Sequence, residues 1–104
     1  MKHLDYDSYK QILDQEKLPI ILDFYADWCV PCKNLSPILE ELNIEYTGKV
    51  NMYKVDVEEQ IELSSEFNIR NLPTIIIIKN NEQQIYSGIL PKNKYKEIID
   101  NIIN

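Results

Sequence analysis

Hydrophobic residues recur along this chain with two different spacings, one typical of helices and one typical of strands. Four segments carry apolar residues every three or four positions, as one buried face of a helix requires. Four others are short and rich in β-branched or aromatic residues, which predicts strands, and residues 74–78 (TIIII) are the clearest of them. The predicted elements, in chain order, are a helix over 5–16, a strand over 20–26, a helix from about 29 to 46, a strand over 50–57, a helix over 61–67, a strand over 74–78, a strand over 84–87 and a helix from about 91 onwards.

Proline and asparagine mark where several of these elements begin, bend or end. Pro19 ends the first helix, and Pro37 is expected to kink the second because it lacks the N–H that an interior residue donates. Pro91 suits the first turn of the last helix. Asn80 and Asn81 tolerate left-handed backbone angles and predict a tight hairpin between the last two strands. The alternating elements imply parallel strands with right-handed crossovers, and the hairpin adds an antiparallel edge, so the fold class is α/β with a mixed sheet between two helical layers.

Length and hydropathy limit the class of protein. The 104 residues are enough for one domain with one core, which we expect to span residues 1–104. No apolar run approaches the ~20 residues that a membrane-spanning helix needs. The first residues lack the apolar segment of a secretory signal. We therefore expect a cytoplasmic protein that has no membrane partner.

Charge and glycine content exclude two further classes. The net charge is −6, and acidic and basic residues are mixed along the chain without a basic cluster. This argues against a nucleic-acid partner. Gly48 and Gly88 are the only glycines, which excludes a glycine-rich phosphate-binding loop.

The candidate chemistry is concentrated in residues 28–33 (WCVPCK), which contain both cysteines and the only tryptophan. Cys29 and Cys32 lie one helical turn apart, close enough to form a dithiol or a disulfide. A structural zinc site is one alternative, but two cysteines and one distant histidine cannot fill four ligand positions. A second alternative is a pair of inert core thiols, against which their place at a helix start and the adjacent proline argue. We interpret the pair as a reversible redox couple.

The order of the two cysteines predicts different roles for them. Cys29 is expected at the start of the helix, where free backbone N–H groups and the helix dipole stabilise a thiolate. Cys32, one turn further in, is expected to be more buried and less ionised. Cys29 would attack a disulfide of another protein and form a mixed disulfide. Cys32 would then attack Cys29, release the substrate as a dithiol and close the internal disulfide.

Two residues near the cysteines are unusual for their positions. Asp23 is the only charged residue in an apolar strand, and a buried carboxyl should have a raised pKa. The alternative is an ordinary aspartate at a strand end that faces solvent. Trp28 lies where the strand meets the helix and the site must be open, so we expect it to shield the sulfur and shape a docking surface. The alternative for Trp28 is a core aromatic residue.

Five parts of the chain together form a specific pattern: 23–33 (DFYADWCVPCK), Pro37, 54–56 (KVD), 70–74 (RNLPT) and Gly88. In this order and spacing they resemble the thioredoxin family over nearly the whole chain. The resemblance implies a thioredoxin fold, with a central mixed sheet of four to five strands flanked by four helices; the family's first edge strand is expected to be vestigial. It implies a protein-disulfide reductase that a thioredoxin reductase re-reduces with NADPH, with no bound cofactor or metal. Its partners would be that reductase and disulfide-containing proteins, and we expect a monomer.

The resemblance also implies roles for single residues. Asp23 would transfer a proton to or from Cys32 through water, and Lys54 would lie near this carboxylate, unless Lys54 is a solvated surface residue. The bond before Pro73 would be cis, with the proline facing the cysteines and keeping stray metal from them. The fixed kink would expose the backbone of Leu72 for pairing with an extended substrate chain.

The remaining site residues concern how a partner docks. Gly88 would let a partner approach closely beside Pro73, although it also suits a strand-to-helix turn. Val30 stands where the family usually has glycine, and it adds a stiff β-branched side chain to the contact surface, next to Pro31. It affects the redox potential and the range of partners rather than the type of reaction. Pro31, where some relatives have histidine, indicates a reductant.

The sequence therefore leaves three candidate functions. The first is a general thioredoxin-type reductant of protein disulfides, and the second is a dedicated electron donor to one partner enzyme, with Val30 setting the selectivity. The third is a thioredoxin-fold binding module whose redox chemistry is incidental. The joint presence of Cys29, Cys32, Asp23 and Pro73 argues against the third. A glutaredoxin is disfavoured because that family usually has tyrosine between the proline and the second cysteine.

Overall fold

The computed structural model describes the whole chain, residues 1–104, and contains one five-stranded sheet and four helices. All eight predicted elements are present, with boundaries within two residues of the predicted ones, and one short strand is added at the start. The elements are β1 (Lys2–His3), α1 (Tyr6–Gln15), β2 (Ile20–Tyr25), α2 (Val30–Glu45), β3 (Asn51–Asp56), α3 (Ile61–Glu66), β4 (Thr74–Lys79), β5 (Glu82–Ser87) and α4 (Lys92–Ile103).

The strands form a mixed sheet in the order β1-β3-β2-β4-β5. The first three in that order run parallel, whereas β4 runs antiparallel to β2 and β5 antiparallel to β4. The expected edge strand is present but vestigial, because β1 pairs only Lys2 with Tyr53 and His3 with Lys54. Two residues are too few to show a periodic pattern, so the sequence pattern alone did not reveal this strand.

The two central strands, β2 and β4, are covered on both faces. Alternate side chains point to opposite faces of a strand. Ile21 and Ile75 pack in one layer with α2 and α4, whereas Leu22, Phe24 and Ile76 pack in the other with α1 and α3. Each such buried aliphatic side chain stabilises the fold by about 1.5–3 kcal/mol relative to exposure. This explains why the strand over residues 20–26 reads as apolar throughout.

The turns and helix ends agree with the sequence in most details. Asn80 and Asn81 have φ values of 53° and 66°, as the predicted hairpin requires. Pro91 is the exception, because it precedes α4 as its N-cap, with extended backbone angles, rather than lying in the first turn. Helix α2 continues through Pro37, so the expected kink does not end it.

None of the four helices combines the length and the apolar character needed to cross a membrane.

Several segments meet at the end of the sheet where β2 finishes and the chain turns into α2. Because β4 runs antiparallel and pairs Thr74 with Phe24, the start of β4 lies at this end. The end of β5 lies here too, because Ser87 pairs with Thr74. The topology therefore brings the cysteine segment, the segment before β4 and Gly88 to the same end of the sheet.

Candidate redox-active site

The two cysteines form a disulfide at the start of α2, with Cα atoms 5.3 Å apart. Cys29 is the N-cap residue of the helix and has extended backbone angles. The backbone N–H of Cys32 donates to Sγ of Cys29 at 3.2 Å. In the reduced protein the same N–H would point at a thiolate on Cys29, which is the arrangement that favours the charged sulfur.

Burial does not distinguish the two cysteines, which corrects the expectation that Cys32 is the more buried. Cys29 is 4% exposed and Cys32 is 6% exposed. The physical reason is that Val57 and Leu72 pack against the small cluster formed by Ala26 and both cysteines, and this packing covers the first sulfur as well as the second. The two residues differ instead in the cavities that they line.

Cys29 lines an open groove of about 860 Å³ between the start of α2, α3 and the segment before β4. Trp28 is 67% exposed at its rim, so it is not a core aromatic residue. Val30 and Ile61 are also large apolar side chains exposed along this groove. The groove residues are Trp28, Cys29, Val30, Pro31, Val57, Ile61, Ser64, Ser65, Asn68, Ile69, Arg70, Asn71 and Leu72.

Cys32 lines a second, smaller cavity of about 170 Å³ on the other side of the disulfide. Asp23 and Lys54 line the same cavity, in which polar or charged residues, including Ser36, are the majority of the lining residues. The cavity is large enough for a few water molecules, each with polar partners. The structure thus brings together the three residues for which the sequence predicted a proton-transfer path.

Asp23 is buried in this cavity, with 5% of its surface exposed, so it is not a solvent-facing strand-end residue. Burial is the largest influence on its carboxyl and raises the pKa to about 7. The positive charge of Lys54 acts in the opposite direction, and the negative charge of Glu40 adds to the rise. A carboxyl with such a pKa is present in both protonation states near neutral pH and can accept or donate a proton.

Lys54 is half-buried rather than a freely solvated surface residue. It lies directly opposite Asp23 in the register of β2 and β3. Its Nζ is 5.1 Å from the centre of the Tyr25 ring, a cation–π distance. The hydroxyl of Tyr25 lies 3.4 Å from Nδ1 of His3 on the vestigial edge strand. These contacts hold the lysine beside the buried carboxyl.

The segment before β4 contains the expected cis peptide bond, between Leu72 and Pro73. The hydroxyl of Thr74 donates to the carbonyl of Asn71 at 2.5 Å and fixes the turn. The backbone N–H and C=O of Leu72 make no hydrogen bond within the chain. Leu72 lines the groove beside Cys29, so these free backbone groups are available to an extended partner chain there.

Gly88 has a φ of +81°, a conformation that favours glycine. Its N–H donates to the carbonyl of Pro73 at 2.9 Å and ties the end of β5 to the segment before β4. A Cβ on this residue would meet no atom within 4 Å. The backbone angle therefore requires glycine for the turn, and close approach by a partner remains a prediction.

The structure adds residues to the site that the sequence did not indicate. Ile61 and Ile69 line the groove, and Ile61 is exposed there at the start of α3. Glu40 acts on the pKa of Asp23 from α2. No local signal identifies these residues, because they reach the site only through the tertiary fold. Nowhere do three or more histidine, cysteine or acidic side chains converge as a metal site would require.

A mixed sheet between helices, with a Cys-x-x-Cys pair in the first turn of the helix that follows a central strand, defines a thiol–disulfide oxidoreductase. The family model described as Thioredoxin matches residues 1–101, and the chain belongs to the thioredoxin family. The protein is accordingly a protein-disulfide reductase with a redox-active cysteine pair. The predicted family, fold and reaction type are confirmed.

Individual relatives and one solved structure agree with this assignment. A thioredoxin of Rickettsia felis is 39% identical over 97 residues, which cover 92% of this chain and 92% of the relative. The chloroplastic M-type thioredoxin of Spinacia oleracea is 34% identical over 98 residues, or 93% of this chain, and the chain spans only 54% of that protein's length. The crystal structure of chloroplastic thioredoxin z superimposes with a TM-score of 0.90 at 31% identity, covering 98% of this chain and 93% of that one.

Proposed function

We propose that this protein is a general dithiol reductant of protein disulfides in which Cys29 is the nucleophile and Cys32 the resolving thiol. The thiolate of Cys29 attacks one sulfur of a substrate disulfide, and the other substrate sulfur leaves as a thiolate. Cys32 then attacks Sγ of Cys29, the second substrate sulfur leaves, and the Cys29–Cys32 disulfide closes. The observation that carries the proposal is the division of the site, with Cys29 at the open groove and Cys32 at the smaller cavity that Asp23 and Lys54 line.

Asp23 has the proton-transfer role in this proposal. The thiol of Cys32 must lose its proton before it attacks, and the ionised Asp23 carboxyl accepts that proton through water in the shared cavity. In the reverse direction the protonated carboxyl returns the proton to Cys32. A pKa raised to about 7 by burial supports both directions near neutral pH. Lys54 keeps part of the Asp23 population ionised, because the positive charge of Lys54 favours the carboxylate form.

Docking of the substrate is assigned to the groove beside Cys29. The free N–H and C=O of Leu72 pair with an extended substrate segment in the manner of an added strand. The exposed apolar side chains along the rim then contact the substrate residues that flank the disulfide. The proposed docking residues are Trp28, Val30, Pro31, Leu72, Pro73 and Gly88.

The oxidised protein must be returned to the dithiol for each new cycle. We assign this step to a thioredoxin reductase that draws on NADPH, so the nicotinamide acts on this protein only indirectly. The protein acts as a monomer in the cytoplasm, as a single domain, with the cysteine pair as its own redox group. The thioredoxin-family match to residues 1–101 supports a partner of this class.

A coupled assay tests the proposed function. The reduction of insulin disulfides is followed by turbidity, with NADPH consumption measured in parallel, in the presence of a bacterial thioredoxin reductase. We expect catalytic turnover, and none with the Cys29→Ser variant. Binding of insulin without turnover by the unmodified protein would contradict the proposal and favour a binding module.

A dedicated electron donor is the second candidate, and one observation favours it. Val30 is exposed on the groove rim beside the nucleophile, where its side chain meets every incoming substrate. Comparison of Val30→Gly with the unmodified protein on a panel of unrelated protein disulfides tests this candidate. A dedicated donor would reduce one substrate far faster than the rest, and Val30→Gly would make the reduction rates of the different substrates similar. Uniform rates in both proteins exclude it.

A further inference from the structure

One oxygen of the redox site lacks a hydrogen-bond partner. Oδ1 of Asp23 is buried, and no N–H or O–H group of the chain donates to it. A carboxylate oxygen in such surroundings is costly unless a donor reaches it. The same core layer contains a hydroxyl in the complementary situation.

That hydroxyl belongs to Tyr95, which is 1% exposed on α4. It is buried and makes no hydrogen bond within the chain. The other buried residues of α4 are Ile98, Ile99 and Ile102, so the phenol is the only polar side chain on this face of the helix. Buried tyrosine hydroxyls normally find a partner, and none of these isoleucines can supply one.

The fold places Tyr95 and Asp23 in the same layer at the same end of the sheet. Ile75 lies directly opposite Asp23 on the neighbouring strand, so the two side chains share a face. Ile75 and Tyr95 pack in one hydrophobic cluster. Tyr95 lies in the first turn of α4, which follows β5 where that strand ends at the redox site. A donor without an acceptor and an acceptor without a donor thus lie in one layer of the core.

Electrostatics supports this proximity. Burial is the largest influence on the Tyr95 hydroxyl and raises its pKa to about 12, and the negative charge of Asp23 contributes to the rise. The backbone of Leu90 acts in the opposite direction and lowers the pKa. Because the charge of Asp23 acts on the phenol, the Asp23 carboxyl is a candidate acceptor for the phenolic proton.

We propose that Tyr95 is a positioning residue of the redox site, whose hydroxyl donates through one buried water to Oδ1 of Asp23 and so orients the carboxyl toward Cys32. The inference rests on the proton-transfer role proposed above for Asp23. A donor to the carboxylate favours its charged form and opposes the effect of burial. Tyr95 therefore keeps the pKa of Asp23 lower than an entirely apolar face of α4 would.

Other charged or titratable groups also face this carboxyl, and the experiment must separate their effects from that of Tyr95. Lys54 on β3 lowers the pKa of Asp23, and Glu40 on α2 raises it. Four more groups line the adjacent cavity, all of which the Tyr95→Phe substitution leaves in place. They are Tyr25, Asp27, Cys32 and Lys33.

The test is an NMR titration of the oxidised protein with ¹³C-labelled aspartate, comparing Tyr95→Phe with the unmodified chain. Phenylalanine keeps the ring and removes only the hydroxyl. We expect the Asp23 midpoint to rise by about one pH unit, the loss of one donor to a charged group. The matched control is Tyr46→Phe, because Tyr46 packs in the same cluster but donates to Asp100 at 2.6 Å. An Asp23 midpoint that moves equally little in both variants overturns the inference.

A second measurement needs no variant of Tyr95 and covers the case in which Tyr95→Phe does not fold. In the unmodified protein the ¹³C shift of the Tyr95 ring carbon bonded to oxygen should show a step at the Asp23 midpoint. Absence of that step overturns the inference. The pH profile of the resolving step distinguishes failure of the inference about Tyr95 from failure of the proposed function. If Asp23→Asn leaves that profile unchanged, the proton-transfer role fails and the positioning role fails with it. If Asp23→Asn abolishes the step in the profile and Tyr95→Phe does not move it, only the inference about Tyr95 fails.

Discussion

The two sides of the Cys29–Cys32 disulfide differ more than the two cysteines do. On the Cys29 side lies an open groove of about 860 Å³ with apolar residues at its rim. On the Cys32 side lies an enclosed cavity of about 170 Å³ with a buried carboxyl and a lysine. Both cysteines are nearly equally buried. We propose that the surroundings of each sulfur set the order of attack, and the following experiments test that division from the largest expected effect to the smallest.

The largest effect should come from removing one sulfur at a time. Cys32→Ser leaves the groove-side thiol without a resolving partner, so we expect it to accumulate mixed disulfides with substrate proteins through Cys29. Cys29→Ser should form none, and both variants should lose turnover on the order of 10³-fold or more. Non-reducing electrophoresis and mass spectrometry identify the adducts. Adducts on Cys32 in the Cys29→Ser variant, at a comparable yield, would contradict the assigned order of attack.

Asp23→Asn should remove the function of the cavity and spare that of the groove. We expect the resolving step to slow by roughly 10²-fold, because the Cys32 proton has lost its acceptor, while the first attack by Cys29 changes little. Rapid-mixing measurements that follow formation and decay of the mixed disulfide separate the two rates. Equal slowing of both steps would show that the two sides of the disulfide are not functionally separate.

The same variant should change stability in a pH-dependent way. The Asp23 carboxyl has an ordinary pKa of 3.8 and a pKa of about 7 in the folded protein, so the folded state binds more protons between these values. Stability contributed by this group is complete below about pH 4 and is lost as pH rises to about 7. Asp23→Asn should therefore gain roughly 2–4 kcal/mol of unfolding free energy at pH 8 and little at pH 4. Denaturant unfolding at both pH values measures this, and Asp14→Asn, an exposed carboxylate on α1, is the control, with no such pH-dependent gain expected.

Trp28→Ala should weaken the groove side without affecting the cavity side. We expect kcat/KM for protein disulfides to fall about tenfold, as loss of an exposed aromatic contact implies, with little change for a small aromatic disulfide. The matched control is Ile44→Ala, because Ile44 is an exposed apolar residue on α2 that does not line the groove. If Ile44→Ala has an equal effect on protein substrates, docking is not confined to the groove.

Gly88→Ala should give the smallest effect and decide between the two interpretations of that residue. Gly48 has the same φ of +81°, and in neither case would a Cβ meet an atom within 4 Å. Alanine at either position should cost about 1 kcal/mol of stability through backbone strain alone. If Gly88 also contacts partners, kcat/KM for protein disulfides should fall only for Gly88→Ala. Equal kinetics in the two variants would leave the turn as the only role of Gly88.

The sequence predicted eight of the nine elements, because the helices carry a recurring apolar face and the predicted strands are rich in β-branched or aromatic residues. It also predicted the chemistry at Cys29, Cys32 and Asp23, because a charged residue in an apolar strand and two cysteines at a helix start are local signals. The burial of Cys29 was not predictable, because Leu72 covers it from a distant part of the chain. The same holds for Ile61, because its place in the groove depends on the start of α2 and the segment before β4, which are distant in the chain.

Tyr95 shows a different limit of sequence interpretation. Its position on the apolar face of the last helix was predicted, since its ring is hydrophobic and shares that face with the isoleucines. The hydrogen-bond partner of its hydroxyl depends on which atoms β2 and α4 bring together, and no pattern within one helix contains that information. The one sequence signal was a tyrosine among isoleucines.

The hairpin formed by Asn80 and Asn81 makes this chain a practical scaffold for reporters. The exposed tip lies near Pro19 and Ile20, at the opposite end of the sheet from the disulfide. Exposed loop tips are the sites where inserted sequences are best tolerated. A fluorescent domain or an affinity tag placed between the two asparagines would therefore leave the groove unobstructed. The protein could then be imaged or immobilised while it exchanges disulfides with its substrates.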